Sequence, residues 1–151
     1  MRELVKYEGS RVILMACSKC NVACKHCYIG YTGNRTPEEL ESLARHYQEK
    51  YKIVRIDGAE PLVDLGYLSS YKIVGQDWIM TNGLRIFKEP EVIDLMIEAG
   101  IKTVFMSYHF GIQESLNGIT NEMLNKVIEM LRAKGLRVVL MTTVTNKNAK
   151  D

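Results

Sequence analysis

The sequence predicts an α/β protein whose strands run parallel, wound by right-handed crossovers into an open sheet or a barrel. Three observations predict it. Short apolar runs alternate along the chain with stretches of helical periodicity. A helix closed by glycine and followed at once by a strand occurs twice, at Gly100 and at Gly135. The residues with chemistry to offer fall just after the strands, where parallel α/β folds build their ligand sites.

The first strand is expected at 11–16, a continuous apolar run of the kind buried in parallel sheets. A segment holding all four cysteines follows, to about residue 35, and structureless stretches of that length inside compact domains are usually functional. Thr36 is predicted to cap the next helix, with Pro37 at its first position and Glu39 completing a capping box. Leu40, Leu43, Ala44 and Tyr47 mark its inner face. The second strand, 53–57, ends in Gly58-Ala59-Glu60-Pro61. From Leu62 to Gly75 the pattern is weak and predicts at most one short helical turn. The third strand, 77–81, ends in Asn82-Gly83. A helix over 90–99 then turns Val92, Leu95, Met96 and Ala99 inward, and a fourth strand covers 102–107. Thr120 caps a further helix with Leu124, Val127, Ile128 and Leu131 on its buried face, and the fifth strand is 137–144.

The length of 151 residues suits one domain, 1–151, large enough to bury roughly 70% of its unfolded surface without staples. Hydrophobic residues at 46% and charged residues at 25% are ordinary for a soluble protein. A net charge of +2 is too small to argue for nucleic acid or a membrane as partner. No apolar run reaches 18 residues, and no apolar stretch of a signal peptide follows Met1-Arg2-Glu3-Leu4. The expected compartment is therefore the reducing cytoplasm, where clustered cysteines read as metal-binding or redox-active rather than as disulfides.

Cys20, Cys24 and Cys27 stand at the spacing C-x3-C-x2-C, and Cys17 precedes them by three. Thiolates gathered in one short loop are soft ligands for an iron–sulfur cluster or zinc. Structural zinc sites favour two pairs separated by a dozen or more residues, which the central gap of three does not match. On the residues alone a zinc site and a ferredoxin-like carrier using all four cysteines both stay open. Cys17, at the end of the first strand, is expected as a buried thiol rather than a ligand. His46 is expected on a helix surface, and His109 reads equally as a substrate-binding or a structural histidine.

Taken together, these motifs resemble the radical S-adenosylmethionine (radical SAM) enzymes. The C-x3-C-x2-C motif after the first strand matches, and Gly58-Ala59-Glu60-Pro61 is similar to the family's Gly-Gly-Glu-Pro with alanine at its second position. Thr81-Asn82-Gly83, and the run from Thr143 to Asn148, resemble members that make molybdopterin or modify peptides. The resemblance implies an incomplete parallel (β/α) barrel of about five strands where six are common, of the partial TIM-barrel type, without the final helix–strand unit. It implies a 4Fe-4S cluster held by Cys20, Cys24 and Cys27, with S-adenosyl-L-methionine on the iron that no thiolate holds. Glu60 would accept a hydrogen bond from the SAM amino group, with Ala59 offering backbone contacts. Thr81 and Ser107 would reach its methionine or ribose portion, and His26 would pack near the adenine. The implied partners are a flavodoxin- or ferredoxin-type electron donor and a peptide or small-molecule substrate, with a second copy or a partner covering the open sheet edge. The alternatives are a small glycyl-radical-enzyme activase and a non-catalytic zinc or iron–sulfur module. The sequence departs from the family where an aspartate is usual after the fourth strand, since Tyr108-His109 stand there.

Overall fold

The structure, a computed structural model, describes residues 10–30 and 33–149. The expectation drawn from residues 1–4 lies outside them. The chain alternates strands and helices, and every strand pairing is parallel. Strand β1 (Arg11–Met15) pairs with β2 (Ile53–Asp57), Arg11 opposite Ile53 and Met15 opposite Asp57. Strands β3 (Trp78–Thr81), β4 (Thr103–Ser107) and β5 (Arg137–Met141) form a second sheet in that order. The expected single sheet thus comes in two parts, and no closed barrel forms among the described residues.

Side chains fasten the seam between β2 and β3. Gln76 is almost wholly buried, and its Oε1 accepts the Ile56 amide at 2.7 Å. Its Nε2 donates to the carbonyls of Ile56 and Trp78 at 3.0 and 3.1 Å. One amide side chain therefore supplies Ile56 with the partners that a neighbouring strand would give. Gln76→Leu fills the same space but takes this partner from the buried amide and carbonyl of Ile56 and from the part-buried carbonyl of Trp78. We expect it to cost about 3 kcal/mol or more, read as a lower urea midpoint at unchanged slope. A midpoint equal to that of the unaltered protein would show that the seam closes without Gln76.

Helices α1 (Pro37–Gln48) and α6 (Asn121–Ala133) begin as expected. Thr36 Oγ1 accepts the Glu39 amide at 3.2 Å, and the Glu39 carboxylate accepts the Thr36 amide at 2.8 Å. Thr120 accepts the Met123 amide at 3.2 Å. Leu40 and Ala44 of α1, and Leu124, Val127 and Leu131 of α6, are fully buried. Alternate strand residues (Leu14, Val54, Ile56, Ile79, Val104 and Met106) are buried in the core that these helices cover. Arg55, Met80 and Phe105 take the other face, where Trp78 and Phe105 meet edge to face at 5.6 Å.

Three short helices correct the sequence reading: α2 (Leu68–Val74), α3 (Leu84–Lys88) and α5 (Gln113–Asn117). Each spans two turns or fewer, too little for a periodic stripe to show. Ahead of α2 stand two 3-10 turns, Pro61–Val63 and Leu65–Tyr67, so 62–75 holds far more than one turn. Serine and β-branched residues hid α2, which stops at Gly75 with φ +63°. Helix α4 (Val92–Glu98) buries Val92, Ile93 and Met96, while Leu95, expected inside, is 41% exposed. Strand β5 ends at Met141, three residues short of the expected 144. Beyond it the Thr143 amide donates to His109 Nδ1 at 3.0 Å and the Thr143 carbonyl accepts from Asn148 Nδ2 at 3.1 Å. Those backbone groups are spent outside the sheet. Strand β5 pairs on one side only among the described residues, and Leu140, Met141 and Val144 are exposed there.

Candidate metal centre

The segment after β1 is an excursion tied at its neck. Cys17 bridges Asn34 in antiparallel fashion, Ser18 donates its amide to the Gly33 carbonyl at 3.1 Å, and Arg35 donates to that of Ala16 at 3.0 Å. Cys17 is fully buried, and its thiol lies 3.6 Å from the Lys19 carbonyl and 3.7 Å from that of Glu60. Burial pushes its pKa up. As expected, Cys17 is packed into the body of the protein.

Cys20 and Cys27 are exposed and Cys24 is half-buried. A turn joins the last two, with the Cys27 amide donating to the Cys24 carbonyl at 3.1 Å. Among the described residues, no three Cys, His, Asp or Glu side chains are drawn into a ready ligand set. The thiols nevertheless feel one another, Cys24 acting on Cys20 and Cys27 on Cys24. Surroundings that exclude water are the main cause raising the pKa values of Cys20 and Cys24, even though Cys20 is exposed as a residue. A metal cation would offset that penalty by taking the thiolate as its ligand.

Beside this loop lies the turn after β2. The Ala59 amide donates to the Cys17 carbonyl at 2.9 Å, and a Cβ on Gly58 would stand 3.3 Å from the Cys17 backbone. Glycine at 58 thus permits the close approach of the two loops. Ala59 needs no such freedom, because no non-glycine residue among those described has positive φ.

Glu60 is 1% exposed. Its Oε1 accepts from the Leu62 amide at 3.1 Å and the Thr81 hydroxyl at 2.8 Å, and its Oε2 accepts the Asn82 amide at 2.8 Å. Burial raises its pKa, and these three donors oppose the rise. No Lys, Arg or His pairs with it among the described residues. Two carboxylate oxygens offer about four acceptor positions, so room remains for one more donor. Thr81 is itself buried, and its oxygen accepts the Gly83 amide at 3.1 Å, so its hydroxyl is committed to bracing Glu60. Ser107 ends β4 beside Met141, half-buried, on the sheet face opposite Met106. The structure therefore brings Ala59, Glu60 and Thr81 to the cysteine loop, while Ser107 stands two strands along.

His26 meets His109 edge to face, with ring centroids 4.8 Å apart, and His26 Nδ1 is buried without a partner. His109 is buried, donates its amide to Gln113 Oε1 at 2.6 Å, and accepts from Thr143 through Nδ1. Burial first, then the neighbouring His26, holds the His109 pKa below its usual value. Position 109 therefore ties together the loops after β1, β4 and β5. His46 is exposed, as expected.

Two site residues were given no role of their own by the sequence reading, although Asn82 stands inside the Thr81-Asn82-Gly83 motif. Asn82 Nδ2 donates to Asn21 Oδ1 at 2.8 Å and reaches Cys20 Sγ at 3.6 Å. Asn117 Nδ2 is buried with no partner of full hydrogen-bond geometry, yet it lowers the pKa of Cys24. Each precedes a glycine, and Asn117-Gly118 in a sequence reads simply as a turn.

The sequence profile of the radical SAM superfamily matches residues 16–151, and the chain belongs to that superfamily of enzymes. No curated protein matches it. Membership implies cleavage of SAM with a 4Fe-4S cluster, and it sets aside the non-catalytic reading. The residues present fit both groups. Three soft thiolates share one loop, an amide donor beside Cys24 lacks a partner, and a buried carboxylate lacks a cation. No helix among the described residues is long and apolar enough to cross a membrane.

Proposed function

We propose that the chain takes a hydrogen atom from a peptide or small-metabolite substrate, in the manner of the molybdopterin-making and peptide-modifying enzymes that its motifs resemble. The observation that carries this reading is the uncompensated Glu60 carboxylate, set against the loop of Cys20, Cys24 and Cys27 at the carboxyl end of β1 and β2. The three thiolates would hold a 4Fe-4S cluster, which supplies the electron for reductive cleavage of SAM when it is bound. Glu60 accepts from the ammonium of SAM, a charge-assisted bond at a site that excludes water. Thr81 and the Asn82 amide keep that carboxylate in place. The Ala59 backbone lies alongside, His26 packs near the adenine, and Ser107 reaches the methionine or ribose portion. Electrons come from a flavodoxin- or ferredoxin-type donor.

A second reading, a small activase that docks a large glycyl-radical enzyme, draws on the apolar edge of β5 that no other described strand pairs. After anaerobic reconstitution the protein should hold about four irons and four sulfides per chain. With dithionite and SAM it should release 5′-deoxyadenosine even without substrate. Colourless, zinc-loaded protein after the same treatment would overturn the assignment. A stable complex with a glycyl-radical enzyme would favour the activase.

A further inference from the structure

Asn82 and Asn117 stand on different elements, yet they are built alike. Asn82 Oδ1 accepts the amide two residues on, that of Leu84, at 2.9 Å. Asn117 Oδ1 accepts the amide two residues on, that of Ile119, at 3.0 Å, and also Gln113 Nε2 at 3.1 Å. A backbone N–H can only donate, so the oxygen side of each amide is fixed and the NH2 side must face the other way. For Asn82 the other way is Cys20, and for Asn117 it is a buried position beside the loop of Cys24. Asn82 Nδ2 shares its two hydrogens between Asn21 Oδ1 and Cys20 Sγ. Asn117 is carried to the loop by a backbone bond, the Lys25 amide donating to the Leu116 carbonyl at 3.1 Å, which sets the residue after Cys24 beside the residue before Asn117. Its NH2 is buried and otherwise unpaired. A buried donor without an acceptor costs free energy, and the cysteine sulfur of the adjoining loop is an acceptor that would complete it.

We propose that Asn82 and Asn117 are positioning residues of the iron–sulfur site, each donating an amide N–H to one cysteine sulfur, Cys20 and Cys24 respectively, and thereby raising the reduction potential of the cluster bound there. The inference rests on the cluster assignment above. An N–H···S bond spreads the negative charge of a thiolate ligand. The reduced cluster carries one more negative charge than the oxidised one, so it gains more from that bond. Cys27 has no such amide among the side-chain hydrogen bonds of the described residues, so the effect falls on one side of the cluster.

The test uses the reconstituted enzyme with Asn82→Ser, Asn117→Ser and the double variant. A serine hydroxyl still accepts an amide two residues on, so each turn survives, but no donor reaches the sulfur. Iron content and thermal unfolding should match the unaltered protein. The midpoint potential, followed by EPR during redox titration, should become more negative in each variant and most negative in the double. At a fixed donor potential the ratio of reduced to oxidised cluster should fall about three- to tenfold per substitution. A potential that is unchanged or more positive overturns the proposal, and so does loss of iron from a variant that melts normally. If the variants do not fold, a measurement on the unaltered enzyme decides. With asparagine labelled by 15N in its side chain, pulsed EPR of the reduced cluster should show weak 15N coupling, and its absence overturns the proposal. An unaltered protein that takes up no iron would instead defeat the cluster assignment itself.

Discussion

Cys17→Ala should keep the full iron content, the cluster's absorbance and SAM cleavage, whereas alanine at Cys20, Cys24 or Cys27 should abolish all three. A cluster that binds SAM needs one iron without a protein thiolate, and three cysteines share the loop. The fourth thiol is turned under the Glu60 turn, with the Lys19 and Glu60 carbonyls as its nearest polar neighbours. Removing that sulfur leaves a small cavity at a fully buried site, which we expect to cost about 1–2 kcal/mol. Iron per chain separates the outcomes. If Cys17→Ala loses metal as completely as Cys24→Ala does, all four thiolates are ligands, no iron is left for SAM, and the site is an electron carrier.

Glu60→Ala should act on both ligand and fold. Loss of a charge-assisted bond to the SAM ammonium should weaken binding about ten- to hundredfold, measured on protein that still holds its cluster. The Thr81 hydroxyl and the Leu62 and Asn82 amides also lose their common acceptor. We expect a further cost of about 3 kcal/mol, lowering Tm by roughly 6–12 °C. The pH dependence carries a sign. Burial raises the Glu60 pKa above its ordinary value near 4.5, so the folded state holds this proton more tightly than the unfolded state does. Its contribution to stability is therefore present below that value and is lost as pH rises through the raised folded value. The alanine variant should lack this component of the slope. Unchanged SAM affinity would show that Glu60 is not the carboxylate the ligand meets, and an unchanged pH slope would show that burial does not raise its pKa.

Much of this was legible beforehand because the signals were local. Thr36, Pro37 and Glu39 name a helix start through their own hydrogen bonds, and the long stripe of α6 needs no tertiary context. The cysteine spacing and Glu60 after β2 are local in the same sense. What stayed hidden depends on residues distant in sequence. Gln76 acts as a strand partner only because Ile56 lies twenty residues away with a free edge. Asn117 matters only because α5 folds onto the loop of Cys24, and α5 is five residues long. Leu95 misled because a helix of seven residues leaves its inner face poorly defined. Thr81 was expected to reach a ligand, and only the fold shows that its hydroxyl donates to the Glu60 carboxylate.

The seam between β2 and β3 has a consequence for how the molecule opens. Each sheet has its own continuous ladder; between β2 and β3 hydrogen bonds run through Gln76 and, at the carboxyl end, Glu60, and the loop after β1 adds those to Asn82 and Leu116. Releasing these two side chains, the bonds from the loop after β1 to Asn82 and Leu116, and the core shared by the two sheets would part the β1–β2 unit from the β3–β5 unit without breaking either ladder. Such a sub-global opening lies below complete unfolding in free energy. The Ile56 amide should exchange its hydrogen with solvent through this lower route, while amides inside the β4 ladder wait for global unfolding. A ligand ammonium seated on Glu60 would close that route, so the protection of one backbone hydrogen becomes a gauge of cofactor occupancy.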